Sequence, residues 1–290
     1  LDGACIRSNT PIVGPDFVLL FDRNAVTEPA ASTIAPVSAH PAHLARRLEG
    51  KRCLVTGGAR NLGRAICIAF AKAGARVAFT YVKEDVEAET TRAALQQLGA
   101  EVKLFKGSVC DVQHARATVD AIVKDWGGLD VLVNNAGIMQ VLPVALLEEP
   151  DWDLVLDTCL KGPYVFSRAA LRPMLRAKAG HILNIGSVAG ERIVEAPVHY
   201  AAAKAGLQGM TRALAKEVGR YGIAVNDLSA GLLSAGLGQQ APQHRRDEYA
   251  KNCPLGRLGS LEEAAVLATW LVSGENSFMS GARLAFDGGV

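Results

Sequence analysis

From residue 50 onward, short apolar runs alternate with longer amphipathic segments. The runs at 52–56, 76–81, 101–106, 129–133, 181–185, 223–228 and 282–286 have strand length and are mostly apolar. That is the pattern of strands covered on both faces. Between them, helical spacing runs over about 63–73, 84–98, 113–125, 151–178 and 199–220. Strand–helix alternation implies right-handed crossovers and a parallel sheet between two helix layers. A doubly wound α/β domain with a seven-stranded parallel sheet is therefore predicted, with ligands at the carboxyl ends of its strands.

Before residue 48 the pattern disappears. Residues 24–43 are rich in Pro, Ala, Ser and Thr without helical period, which marks a linker or an extended wrap. Residues 1–23 hold short apolar pieces that cannot build a core alone. The chain divides into an N-terminal extension, residues 1–48, and one domain, residues 49–290. The apolar run at 17–21 is expected to dock on the body or on a neighbouring subunit. It is too short for a bilayer span and lacks the basic flank of a secretory signal.

Composition narrows the function classes. Of 290 residues, 49% are hydrophobic and 21% charged, which excludes a disordered chain. Lys and Arg total 31 against 29 Asp and Glu, a net charge of +2, so no nucleic-acid footprint is expected. No apolar stretch is long enough to cross a membrane. The six cysteines, at 5, 53, 67, 110, 159 and 253, form no Cys-x-x-Cys and have no His at zinc spacing. Reduced thiols, no metal site and a reducing compartment, the cytoplasm, are expected.

The first strand runs into Thr56-Gly57-Gly58-Ala59-Arg60-Asn61-Leu62-Gly63. Gly57 permits a tight turn, and Gly63 lets helix and strand pack closely. The helix that follows presents free N–H groups to a phosphate. The second strand ends at Thr80-Tyr81-Val82-Lys83, with no acid at its tip; Glu84 and Asp85 are expected to open the next helix. Arg60 and Lys83 could meet a ribose 2′-phosphate, so NADP(H) is expected ahead of NAD(H). The competing readings are a plain strand–helix connection and two solvated cations.

Tyr200 and Lys204, four apart in a helical segment, share one face. A phenol titrates near about 10, and a neighbouring ammonium favours its phenolate. Tyr200 thereby becomes a usable general acid or base. Ser187, at the end of the fifth strand, can hydrogen-bond and orient a reacting carbonyl oxygen.

These features resemble, in order and spacing, the one-domain short-chain dehydrogenase/reductases, and in pattern most of all the 3-oxoacyl-(acyl-carrier-protein) reductases. The likeness spans residues 50–289 and includes Asn134-Asn135-Ala136-Gly137, Tyr200-Ala201-Ala202-Ala203-Lys204, Pro254-Leu255-Gly256-Arg257 and Asp287-Gly288-Gly289. It implies a Rossmann-type fold and carbonyl reduction with a nicotinamide cofactor. Tyr200 is then the proton donor, Lys204 tunes it and holds the nicotinamide ribose, and Ser187 positions the carbonyl. It also implies a cofactor site of Gly57, Arg60, Asn61, Leu62, Gly63, Lys83, Ser108, Val109, Asn135, Ala136, Gly137, Tyr200, Lys204 and Gly231.

Four positions depart from the family pattern. Asn61 stands for the middle Gly of the turn, Ser108 for an adenine-contacting Asp, and Ala230 for the Pro of a Pro-Gly, which is expected to free the backbone there. Cys159 replaces an Asn that in the family helps to hold a water joining the Lys to solvent; Cys is the weaker hydrogen-bonding group. Residues 232–253 are expected to cover nicotinamide and substrate, with His244, Arg245 and Arg246 on a solvated or carrier-attracting face. Arg168, Arg172 and Arg176 form a stripe fit for an acidic carrier protein, a subunit interface or solvent.

The resemblance implies an NADPH-dependent ketoreductase acting on a small-molecule or carrier-bound β-ketoacyl or polyketide-like thioester, assembled as a dimer or tetramer, with acyl-carrier protein as a candidate partner. Two alternatives stay open: an alcohol, polyol or steroid-type dehydrogenase, and a weakly catalytic nucleotide-binding regulatory subunit.

Overall fold

A computed structural model describes residues 46–192 and 196–290. Seven parallel strands form one sheet in the order β3-β2-β1-β4-β5-β6-β7. They are β1 (Arg52–Val55), β2 (Arg76–Tyr81), β3 (Val102–Lys106), β4 (Val131–Asn134), β5 (Gly180–Ser187), β6 (Ile223–Ala230) and β7 (Arg283–Phe286). The order reverses between β1 and β4, so the crevice at their carboxyl ends is the natural ligand site. The predicted strands are all present, and the doubly wound parallel sheet stands as expected.

Helices cover both faces. On one lie α1 (Asn61–Lys72), α2 (Asp85–Gln97) and α8 (Leu261–Leu271). On the other lie α3 (Val112–Trp126), α5 (Gly162–Ala177) and α6 (Val198–Val218). Alternate strand residues feed the two cores: Val55, Phe79, Val133, Ile185 and Leu228 point to the first, Leu54, Ala78, Leu132, Ile182 and Val225 to the second. Leu48, counted with the extension on composition, is fully buried in the first core and donates its N–H to Ala73 O (2.9 Å). The docking run at 17–21 lies outside the described residues.

The single long helix expected over 151–178 is three pieces. Helix α4 (Glu149–Leu156) passes into a π-helical turn, Asp157–Lys161, and then into α5. Wider turns of this kind re-aim side chains and favour functional sites. Two further helices, α7 (Gln243–Asn252) and α8, lie where no helix was expected. Helix α8 begins with a full capping box, in which Ser260 and Glu263 satisfy each other's backbone N–H.

Candidate active site

The turn after β1 is built for close approach. Gly57 has φ +68°, and a Cβ on Gly63 would lie 2.1 Å from Gly57 O. Asn61 is left-handed at φ +48°, as the replacement of a Gly by Asn allows. Helix α1 has no side-chain cap, because its N-cap residue is Arg60. Its first N–H groups are thus left for an anion, and the turn fits a dinucleotide phosphate. Leu62 packs behind the turn against the apolar core. Thr91 of α2 braces it by donating to Ala59 O (2.7 Å).

The strand end after β4 is tied to the same turn. Asn135 Nδ2 donates to Thr56 O (2.9 Å) and Gly57 O (3.1 Å). The backbone N–H groups of Asn135 and Ala136 both donate to Thr56 Oγ1 at 3.0 Å. Ser108 Oγ accepts from Cys110 N–H (3.2 Å) and shapes the turn after β3, while Val109 is buried against Gly162. Gly137 faces Cys159 Sγ and Lys204 Nζ. Gly231 donates its N–H to Phe286 O (2.8 Å) and faces the Tyr249 hydroxyl.

The expected cationic pair is only half free. Lys83 is exposed, but Arg60 makes an ion pair with Glu84 (3.2 Å). Glu84 also accepts from Lys83 N–H (3.2 Å), so an acid does stand beside the β2 tip. The Ala230 expectation is corrected too. Losing the Pro does not free the backbone: Ala230 continues β6, in register with Ser187 on one side and Phe286 on the other.

At the carboxyl ends of β5 and β6 the reactive trio assembles. Ser187 closes β5, and its Oγ accepts from Ala189 N–H (3.2 Å). Tyr200 and Lys204 rise from α6, with Lys204 Nζ 5.6 Å from the Tyr200 ring centre and donating to Ile185 O (2.7 Å). Both side chains are almost wholly buried. Burial pushes the Tyr200 phenol above its ordinary range; the Lys204 charge and the Ser187 hydrogen bond pull it down without cancelling that. The expected lowering by Lys204 is real but is the smaller effect. Burial works against the Lys204 ammonium, yet Tyr200, Cys159 and Asp227 together hold its pKa above the usual value. In the ligand-free protein the pair rests as phenol and ammonium at neutral pH.

Cys159 sits in the π-helical turn, fully buried beside Val155, Tyr200 and Ala203. Its thiol donates to Ile138 O (3.3 Å) and accepts from Ile138 N–H (3.4 Å). It is a structural bridge to the segment after β4, with no access for a nucleophile's substrate.

One feature escaped the sequence reading. Beneath α5 and α6 the carboxyl ends of β4, β5 and β6 carry a buried polar layer. Asn134 Nδ2 donates to Ser167 Oγ (3.0 Å) and to Asn184 Oδ1 (2.8 Å). Asn184 Nδ2 donates to Thr211 Oγ1 (2.8 Å). Next to them Asp227 Oδ1 accepts from Ser229 Oγ (2.6 Å). Polar residues two apart inside the apolar β6 run, Asp227 and Ser229, were the available signal.

The segment after β6 leans over the crevice. Gly236 packs on Asn61, Tyr249 of α7 donates to Asp287 O (3.1 Å), and Arg192 pairs with Asp287 (2.9 Å). Arg245 and Arg246 interact within α7, with Glu248 and Gln243, beside an exposed His244. Arg168, Arg172 and Arg176 lie exposed on α5. Among the described residues no cluster could hold a metal, and no helix is long and apolar enough to cross a membrane.

Comparison with known proteins agrees with this geometry. A family model described as enoyl-(acyl carrier protein) reductase matches residues 57–290. The 3-oxoacyl-(acyl-carrier-protein) reductase of Chlamydia muridarum is 35% identical over 243 residues, 84% of this chain and 98% of that protein. A D-threitol dehydrogenase of Mycolicibacterium smegmatis is 37% identical over 247 residues, 84% of this chain and 94% of that one. A crystal structure of a 3-oxoacyl-(acyl-carrier-protein) reductase from Brucella melitensis superposes with TM-score 0.82 at 31% identity, covering 89% of this chain and 98% of that one. A short-chain dehydrogenase from Burkholderia cenocepacia, in complex with NADP, gives TM-score 0.79 at 34% identity, covering 84% and 98%.

Proposed function

The chain belongs to the short-chain dehydrogenase/reductase family and is an NAD(P)-dependent oxidoreductase of carbonyl and hydroxyl groups, and from that premise we propose that it is an NADPH-dependent ketoreductase of β-ketoacyl or polyketide-like thioesters. The observation that carries the proposal is the meeting of Ser187, Tyr200 and Lys204 at the strand ends, across the crevice from an uncapped α1. Gly57, Leu62, Gly63, Asn135, Ala136 and Gly137 would hold the nucleotide, with Ser108 and Val109 near its base. A bound nicotinamide exchanges the hydride with the carbonyl carbon. Ser187 donates a hydrogen bond to the carbonyl oxygen, and Tyr200 gives that oxygen its proton. Lys204 remains cationic and stabilises the Tyr200 phenolate until a proton returns.

NADPH is favoured because Lys83 is free at the β2 tip and a relative solved with a nucleotide holds NADP. Arg60 would have to leave Glu84 to add to that preference. A carrier-bound substrate fits the exposed arginines of α5 and the carrier named for several relatives. We place the protein in the cytoplasm as a homo-oligomer, with the residues before Leu48 as an extension; the five described cysteines are all free thiols, as a reducing compartment requires.

The similarity to D-threitol dehydrogenase supports a second reading, a polyol dehydrogenase. One assay separates them. Steady NADPH oxidation with an acetoacetyl thioester, lost in Tyr200→Phe, supports the ketoreductase. Turnover with tetritols and an oxidised nucleotide, and none with the thioester, replaces it by the second reading. Nucleotide binding without turnover on either would make the chain a regulatory subunit.

A further inference from the structure

Asp227 is fully buried on β6, a place where a carboxylate is costly to keep. Only one of its oxygens is satisfied: Ser229 Oγ donates to Oδ1, and Oδ2 has no hydrogen-bond partner. The carboxylate lies directly over Gly186, where a Cβ would come within 2.3 Å of Oδ2. The adjoining Ile185 carbonyl is the one that receives the Lys204 ammonium. One two-residue stretch of β5 therefore carries the catalytic ammonium on its carbonyl and the carboxylate over its glycine. Both groups lie in the same helix-covered layer, beneath α6.

Resting on the reading of Tyr200 and Lys204 as the proton-handling pair, we propose that Asp227 is a positioning residue for Lys204, holding it as an ammonium from the side away from substrate. The thiol of Cys159, which also lies beside the ammonium, is committed to Ile138. Among the described residues, the groups that act on the pair are these. Lys204 faces Tyr200 on its own helix, Cys159 from the π-helical turn and Asp227 from β6. Asp227 faces Lys204 from α6, Arg283 from β7 and Glu191 from the turn after β5. Arg283 Nε donates to Ser229 Oγ (3.1 Å) and is ion-paired with Glu191, so the carboxylate has a fixed cationic neighbour on its solvent side.

Removing the anion lets the Lys204 ammonium lose its proton more readily, and a neutral Lys204 no longer stabilises the Tyr200 phenolate. The test is a titration of Tyr200 in the ligand-free full chain, read as tyrosinate ultraviolet absorbance, wild type minus Tyr200→Phe. In Asp227→Asn, which keeps the side-chain shape, that titration moves up by about one pH unit, and a downward move would overturn the proposal. The alkaline limb of kcat for NADPH-dependent reduction, set by the Lys204 proton, moves down, and KM changes less than about twofold. A second variant, Asp227→Ser, removes the carboxylate with a smaller polar side chain and shifts the titration the same way. A folded Asp227→Asn protein whose Tyr200 titration stays at the wild-type pH overturns the proposal, whatever happens to its thermal stability. Should Asp227→Asn not fold, an unmoved titration in Asp227→Ser overturns it equally. The titration needs no substrate, so a failure to reduce any carbonyl would count against the proposed function and leave this test to decide on Asp227.

Discussion

The two faces of the sheet are built from alternate residues of the same strands, and they end differently. Toward α1, α2 and α8 the side chains stay apolar to the strand tips, as Val133, Ile185 and Leu228 show. Toward α3, α5 and α6 they begin apolar, with Leu132, Ile182 and Val225, and turn polar at Asn134, Asn184 and Asp227. The first face supplies cohesion through a continuous core. The second gives up some of that cohesion at its upper end to fix α6, and with it Tyr200 and Lys204. Directional hydrogen bonds such as those of Asn184 to Asn134 and Thr211 specify one arrangement where apolar contacts would tolerate several.

The widest expected effect lies at the top of the polar face. Tyr200→Phe removes one hydroxyl and should lower kcat for reduction by about 10²–10⁴-fold while nucleotide affinity and melting temperature change little. Steady-state kinetics beside nucleotide binding measures both. The matching cut on the apolar face is Phe70→Ala, at a fully buried site of α1. It should cost about 3–5 kcal/mol by chemical denaturation. Its kcat, per folded enzyme, should stay near wild type. If the two variants exchanged these signatures, the division of labour between the faces would be wrong.

An intermediate case joins the two properties. Asn184 bridges Asn134 and Thr211, so Asn184→Ala leaves both partners short of a hydrogen bond inside the protein. A loss of about 1–3 kcal/mol in stability is expected. Because Thr211 belongs to α6, kcat should fall as well, which no apolar-face variant of equal stability cost should do.

The apolar face has polar anchors of its own, one of them at its rim. Arg257 and Ser260 hold Glu263 at the start of α8, and the Arg257 hydrogen bond brings its carboxyl down to about 2. A depressed folded pKa adds stability above the unfolded value, near about 4.5, and that stability is lost as pH falls through the folded one. Acid unfolding between those limits should therefore be steeper in wild type than in Glu263→Gln. The partial exposure of the pair limits the difference to the order of 1 kcal/mol.

The sheet was legible because fully covered strands read as apolar runs, and the left-handed Asn61 because a Gly-type turn was being kept with the residue that tolerates it. Ser187, Tyr200 and Lys204 were legible as a constellation. The π-helical turn was not: it depends on Cys159 meeting Ile138 across the fold, which no local pattern encodes. Helix α8 was missed although Ser260 and Glu263 spell its capping box. Asp227 and Ser229 had a visible signal, two polar residues at strand spacing, but their meaning needed Gly186 and Lys204 placed beside them. The Arg60–Glu84 pair joins two different strand–helix turns, so only the folded chain brings it together.

That pair gives the smallest expected effect and the finest test of the contrast, since it sets the apolar face's rim against the nucleotide. Arg60 opens α1 and Glu84 opens α2, both on the apolar side of the sheet, where their first turns reach the crevice. While Glu84 holds the guanidinium, Lys83 alone is available to a 2′-phosphate. Neutralising the acid in Glu84→Gln frees Arg60 and also removes a repulsive charge near that phosphate. The ratio of kcat/KM for NADPH over NADH should rise by about three- to tenfold, the modest size expected for exposed charges in salt. Arg60→Ala in the wild-type background should change the ratio by less, because that arginine is already engaged. A larger fall in Arg60→Ala than rise in Glu84→Gln would show that the ion pair opens when nucleotide binds, and that this rim, too, contributes directly to recognition.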